Sequence, residues 1–439
     1  MSQLRNNQYR KSLLRRLFLL LEQESSAIQA ALFKDLGKSP EEAYLTEVSI
    51  CLKETRYALK KINKWTRRKW VFPSLLNFPS LGYLQPEPLG KVLIIGPWNY
   101  PFQLVICPLI SAIAAGNEVV IKPSEVSAHT SELLCDFIKK LAAPEIQIVL
   151  GGVEETTALL KQPFQHIFYT GNGHVGKIVM KAAADFLTPV TLELGGKSPC
   201  LVMESADIEM AARRIAWGKT INAGQTCVAP DYVLIPESKK KQFVESFKRE
   251  VEKMYGPEAS SEEYSKIINL RHYKRLLQLI DTKSVLAGGT YNEEKLKIAP
   301  TIVEATINSP VMMDEIFGPI LPLLTFKDLS EVKAIIAKHP YPLASYVFSR
   351  DAADHQFIVS EIASGGICIN DTVVHMINQG MPFGGIQASG MGRYRGKFGF
   401  DTFTHYKPVL RRFFFLDLPL RYPPFKGKLA LLKKLLSWL

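Results

Sequence analysis

The stretch KVLIIGPWNYPFQLVICPLISAIAAGNEVVIKP (91–123) reads as strand, helix, strand. KVLIIG is an apolar run of the kind buried in a sheet, 104–115 is a mostly apolar helix, and EVVIKP (118–123) is a second strand. Strands without polar alternation, joined through a helix, imply a parallel sheet covered on both faces. The alternation continues with a helix over 131–141 and strands at IQIVLGG (146–152) and HIFYTG (166–171). From Pro199 a second series begins: SPCLVM (198–203), a helix through Ala211 and Trp217, DYVLIP (231–236), and later SYVFS (345–349) and GGICIN (365–370). The expected fold class is α/β, with two such units.

Before residue 70 the spacing predicts helices, with Leu13, Leu14, Leu17, Leu20 and Leu21 recurring every three or four positions and Leu36-Gly37 as a stop. The segment 73–88, broken by Pro73, Pro79, Pro86 and Pro88, reads as an extended linker or edge strand.

At 439 residues, 47% apolar and 22% charged, the chain is a globular protein of two or three structural units. The six cysteines are sparse, the nearest pair being Cys200 and Cys227, 27 positions apart. That spacing suits a reducing compartment, and with eight scattered histidines no metal site is expected. The net charge of +12 lies partly at the chain ends and comes with no nucleic-acid motif, so solvated surface explains it. Leu17 to Leu21 is too short for a secretory core, and no stretch reaches the roughly 18 apolar residues of a membrane span. A cytoplasmic protein is expected.

Four short stretches carry chemistry. In HIFYTGNGHVGK (166–177), Gly171, Gly173 and Gly176 follow a strand and open a helix, where backbone amides bind phosphate; a tight turn without a ligand explains them equally. In VIKPSE (120–125), Lys122 and Glu125 close a strand and could meet ribose hydroxyls, or be ordinary loop charges. In TLELGGKSP (191–199), Glu193 stands between leucines at a strand end; burial there raises a carboxyl toward the range useful for proton transfer, and a surface edge is the alternative. In GQTCVAP (224–230), Cys227 follows a small, polar turn, whereas the other five cysteines fall in expected helices or strands. It is either an inert buried thiol or an accessible nucleophile.

Taken together, PWNYP (97–101), KPSE (122–125), FYTGNGHVG (168–176), LELGGKSP (192–199), GQTCVAP (224–230), EIFGP (315–319) and PFGGIQASGMG (382–392) resemble the aldehyde dehydrogenase superfamily, in its order, from about residue 31 to 410. The stretch from NDTVVHMINQG (370–380) to THYKP (404–408) is similar to the class 3 branch, which includes fatty aldehyde dehydrogenases. The resemblance implies a Rossmann-like NAD(P)-binding domain (1–78 and 92–195), an α/β catalytic domain (196–395), a small oligomerisation arm (79–91 and 396–420) and a C-terminal tail (421–439). It implies Cys227 as nucleophile, Asn99 with the Cys227 N–H as oxyanion donors, and Glu193 as the base that activates water. For the cofactor it implies Trp98, Lys122, Glu125, Gly171, Asn172, Gly173, Gly176, Leu194, Glu315 and Phe317. Asn172 departs from the serine many relatives carry, which puts its phosphate contact in question. Glu125 would repel a 2′-phosphate, so NAD is favoured, with NADP open because class 3 members often accept both.

The implied reaction is oxidation of an aldehyde, medium- or long-chain aliphatic or aromatic, to its acid by a homodimer. A CoA-acylating relative and an inactive scaffold are the alternatives; the glutamate in LELGG argues against the first, and intact Asn99, Glu193 and Cys227 against the second. The tail KGKLALLKKLLSWL (426–439) places Leu429, Leu431, Leu432, Leu435, Leu436, Trp438 and Leu439 on one half of a helical wheel. Peripheral membrane contact and packing on protein are equal readings of it.

Overall fold

The computed structural model describes residues 3–74, 77–417 and 419–437. Two separate mostly parallel sheets carry the chain, as the strand-helix alternation predicts. The first runs, edge to edge, Gly390–Met391, Val190–Glu193, His166–Thr170, Lys91–Ile95, Glu118–Lys122 and Ile146–Ile148. All its pairings are parallel except the first, where Gly390 lies opposite Glu193. The second runs Val285–Ala287, Thr301–Glu304, Ile320–Phe326, Tyr232–Pro236, Pro199–Val202, Ala344–Phe348 and Gly366–Ile369, with only Val285–Ala287 antiparallel.

The helix Gln103–Ala115 shows why its sequence is apolar on every side: each of its 13 residues is buried. It packs on the strands Lys91–Ile95 and Glu118–Lys122 and is covered by the helices Asn7–Gln23 and Ser49–Trp65. A helix without a polar face is stable only when it is enclosed in this way. The N-terminal leucines read as one stripe, Leu13, Leu14, Leu17, Leu20 and Leu21, are all buried on the enclosing helix. Ser25–Leu36 ends at Gly37, which takes a left-handed φ of 64°.

Two features differ from the sequence reading. The strands Thr301–Glu304 and Ile320–Phe326 are absent from the sequence reading; the first is only four residues long and the second carries Pro322, and pairing of the first with the second and of the second with Tyr232–Pro236 defines them. The proline-broken segment is neither linker nor simple edge. Ser80–Pro88 is the middle strand of an antiparallel three-stranded sheet, between Lys69–Val71 and Thr404–Arg412. Lys69–Val71 pairs only with residues 82–84, so Pro86 and Pro88 lie beyond its end and their missing N–H groups break no ladder on that side.

Candidate active site

Cys227 follows a loop whose backbone the sequence must force. Asn222, Ala223 and Gly224 take positive φ in succession, at 53°, 51° and 74°. Left-handed non-glycine residues cost of order 1 kcal/mol or more each, so the surroundings must hold them. They do: Asn222 N–H donates to Glu42 (2.6 Å), its Nδ2 to the Asn99 carbonyl (2.8 Å), and Gln225 Nε2 to the carbonyls of Asn222 and Lys266 (both 3.0 Å). Gln225 Oε1 in turn accepts from Ile268 N–H at 3.0 Å. Thr226 shares a 2.6 Å hydrogen bond with the Tyr100 hydroxyl. Cys227 emerges from this scaffold only partly buried, while Cys51, Cys107, Cys200 and Cys368 are buried.

Asn99 is buried, and its Nδ2 donates to the Gln225 carbonyl at 3.0 Å. An amide nitrogen carries two hydrogens, so one remains for an oxygen beside Cys227. The carbonyl of Asn99 is held by Lys38 Nζ at 3.2 Å, and Lys38 pairs with Glu47 at 2.6 Å, both fully buried. Glu47 also accepts from the N–H groups of Phe102 and Gln103, 2.9 and 3.0 Å away, at the start of the enclosed helix. The PWNYP turn is thus pinned from behind by a buried ion pair.

Glu193 ends its strand 3% exposed, and neither carboxylate oxygen has a partner among the described residues. Burial pushes its carboxyl well above the usual range, against a smaller downward pull from Arg395. Burial likewise pushes the Cys227 thiol up to about 12, with Glu315 and then Glu193 adding to the effect and the N–H groups of Cys227 and Val228 opposing it. The strand-end glutamate is therefore interior, and its charge acts on the thiol after that of Glu315.

The residues read as cofactor contacts line the carboxyl ends of the first sheet, where open α/β sheets bind ligands. Lys122 is buried, with Nζ donating to the Pro123 carbonyl at 2.8 Å and 3.8 Å from the exposed Glu125. Asn172 caps the helix Gly173–Ala184, its Oδ1 accepting from Val175 N–H at 2.9 Å. That oxygen is spent, so anion binding there falls to the free amides of the helix start and to Asn172 Nδ2. A Cβ on Gly173 would meet nothing within 4 Å, whereas one on Gly176 would stand 2.9 Å from Leu194. The first glycine leaves the turn open, and the second lets the helix lie on Leu194. Trp98 packs edge-on to Phe317, ring centres 5.3 Å apart, and against His272 at 5.0 Å.

Glu315 is folded inward over Gly195, where a Cβ would fall 2.0 Å from its Oε2. Burial, then Asp231, raise its carboxyl to about 8. Asp231 and Lys197 were missed as site residues although Lys197 lies in the quoted LELGGKSP. Lys197 Nζ bonds Asp231 at 2.6 Å and the carbonyls of Val311 and Asp314 at 3.0 Å, and Asp231 accepts from Ile316 N–H at 3.1 Å. This network fixes the EIFGP loop. A buried lysine among three acceptors leaves no periodic trace in a sequence. The cradle of open glycine turn, buried Lys122 and inward Glu315 fits a dinucleotide.

The comparisons agree with this geometry. The aldehyde dehydrogenase family model matches residues 3–409. The chain is 45% identical over 430 residues to 4,4'-diaponeurosporen-aldehyde dehydrogenase of Staphylococcus aureus (strain NCTC 8325 / PS 47), covering 97% of this chain and 94% of that one. It is 44% identical over 430 residues to the rat (Rattus norvegicus) aldehyde dehydrogenase, dimeric NADP-preferring, covering 97% and 95%. Among solved structures, a substrate-bound state of Staphylococcus aureus AldH superposes with a TM-score of 0.97 at 44% identity, covering 99% and 96%. The chain belongs to the aldehyde dehydrogenase family, in its class 3 branch, whose fold supports NAD(P)-dependent oxidation of aldehydes.

Proposed function

We propose that Cys227 is the nucleophile, Asn99 an oxyanion donor and Glu193 the general base of a hydrolytic aldehyde oxidation. Three observations support this reading: Asn99 is bonded to the loop that precedes Cys227, at the Gln225 carbonyl; the Glu193 carboxylate is buried with no partner among the described residues; and its charge, after that of Glu315, acts on the Cys227 thiol.

An aldehyde carbon holds its hydrogen firmly until something adds to it. Attack by the Cys227 thiolate makes a tetrahedral thiohemiacetal whose oxyanion meets the remaining Asn99 N–H and the Cys227 N–H, each donor contributing about 3 kcal/mol. Lys122, Glu125, the Gly171–Gly176 turn, Leu194, Trp98, Glu315 and Phe317 would hold the dinucleotide. When bound, its nicotinamide supplies the acceptor for the hydride that leaves the adduct, which becomes a thioester. Glu193 then takes a proton from water, and the hydroxide attacks the thioester and frees the acid and Cys227. Burial holds the Cys227 thiol and the Glu193 carboxyl toward their neutral forms, so each gives its proton to solvent before it acts, Cys227 as the attacking thiolate and Glu193 as the carboxylate that takes the proton of water.

Aliphatic and aromatic aldehydes of medium or long chain are the proposed substrates, with the domain division given above. The test is dinucleotide reduction at stoichiometric acid formation, with and without coenzyme A. Acid formed without CoA supports hydrolysis, and dependence on CoA would replace it with acyl transfer.

A homodimer is proposed through the three-stranded arm. Trp70 (62% exposed) and Phe72 (fully exposed) stand on or beside it with nothing covering them. Light scattering at the monomer mass would refute this. Leu429–Leu436 is a helix with Leu429 and Leu431 exposed, and among the described residues no helix is long and apolar enough to cross a membrane. Trp438 and Leu439 of the expected apolar face lie outside the described residues. Peripheral lipid contact of an otherwise cytoplasmic enzyme is proposed; deletion after Lys426 should then reduce co-sedimentation with anionic vesicles, and equal sedimentation would dismiss it.

A further inference from the structure

Asn222 is fully buried and left-handed, with φ 53° and ψ 32°. Glycine would take that backbone with less strain, so the side chain has to explain why asparagine stands there. Its Nδ2 donates to the Asn99 carbonyl at 2.8 Å and to the Gln225 carbonyl at 3.1 Å. An amide nitrogen carries two hydrogens, and both are spent. The orientation is fixed, because a reversed amide would set its oxygen against two carbonyl oxygens. Oδ1 is buried with no partner among the described residues, which is costly, so the gain of this side chain lies in its two N–H bonds.

Those bonds close a ring. Asn99 Nδ2 donates to the same Gln225 carbonyl at 3.0 Å, so that oxygen accepts from Asn99 and Asn222 together. The contacts run from the Asn99 carbonyl to the Asn222 amide, on to the Gln225 carbonyl, and back to the Asn99 amide. The turn of Asn99 and the loop before Cys227 are thereby locked to each other. The ring also sets a direction. The two N–H bonds of a planar amide keep a fixed angle, so holding the first N–H of Asn99 on the Gln225 carbonyl aims the second. Anchors lie outside the ring: Asn222 N–H donates to Glu42 Oε1 at 2.6 Å, and Glu42 Oε2 accepts from Ser265 Oγ at 3.0 Å.

We infer that Asn222 is a positioning residue whose amide aims the free N–H of Asn99 at the oxyanion beside Cys227, a role that rests on the oxyanion reading of Asn99 and deepens it. With no exposed surface, Asn222 touches neither aldehyde nor dinucleotide itself.

The test uses two variants of the full chain. Asn222→Gly suits the left-handed backbone, keeps the N–H to Glu42 and removes only the amide. Asn222→Ala also removes the amide without adding chain flexibility, and Ala223 already takes a φ of 51° in this loop. Each should lower kcat about 10- to 10²-fold, with the KM for aldehyde and the Kd for dinucleotide near wild type. A double-mutant cycle with Asn99→Ala separates positioning from plain structural support. If Asn222 acts through Asn99, its loss costs nothing more once the Asn99 side chain is gone, and the double variant turns over like Asn99→Ala. Structural support would multiply the two losses. Multiplied losses, or wild-type kcat in the Asn222 variants, overturn the positioning role and leave Asn99 as the donor. Wild-type turnover of Asn99→Ala removes the oxyanion reading and the role of Asn222 with it. The glycine and alanine variants disturb the backbone in different ways, so either one that folds completes the cycle.

Discussion

Gly224 and Gly318 meet backbone to backbone: a Cβ on Gly224 would stand 2.3 Å from the Gly318 carbonyl oxygen. The contact joins the loop before Cys227 to the loop that carries Glu315 and Phe317, so the proposed nucleophile and the proposed cofactor contacts share one seam. Alanine at Gly224 is excluded by space and disfavoured by its φ of 74°. Gly224→Ala should lower stability by about 2 kcal/mol and reduce turnover further than stability alone explains. Denaturant midpoint and kcat/KM check it, and a variant with both at wild-type values would show that the seam has no functional weight.

Cys227→Ala should abolish oxidation with little change in melting temperature, because the residue is only partly buried. The raised thiol makes a second expectation. Without dinucleotide, alkylation of Cys227 should be slow at neutral pH and accelerate as pH rises toward 12, since the reactive thiolate forms only there. Mass-resolved iodoacetamide labelling across pH reads this out, and fast labelling at pH 7 would contradict it.

Glu193→Gln should keep a burst of reduced dinucleotide and slow acid release, separated by rapid quench. Stability supplies an independent check with a definite sign. The carboxyl is raised in the folded state, so in the window above its ordinary value of about 4.5 the native protein binds more protons than the unfolded chain. Stability contributed by the neutral buried acid is present below that window and is lost as pH rises through it. Glutamine cannot ionise, so the variant should gain stability relative to wild type as pH rises from 5 to 8. A difference independent of pH would mean that Glu193 is not buried as described.

Asn99 depends on an ion pair it does not belong to. Lys38→Met leaves Glu47 buried without its cation and should cost about 3 kcal/mol, and Asn99 loses one of two donors to its carbonyl. Asn99→Ala should lower kcat by about 10²–10³ with near-normal stability. Calorimetry separates the two, and if Asn99→Ala turned over normally the oxyanion role would be lost.

What the sequence by itself determined is what local pattern can encode. Apolar runs and helical spacing gave the alternation of strands and helices, because burial of a strand on both faces leaves it no polar alternation. The ordered motifs gave the family; Glu193 and Cys227 were marked by settings that are odd for their residue types, whereas Asn99 was marked only by the resemblance. Only the tertiary structure decided what required distant groups to meet. Lys197 and Asp231, 34 positions apart, close a network around the EIFGP loop. The left-handed run at Asn222 and Ala223 is held by Glu42 and Asn99, from the other end of the chain. Hydrogen bonds and buried charges of this kind have no sequence period; their partners are chosen by packing, and packing is settled only when the whole core has formed.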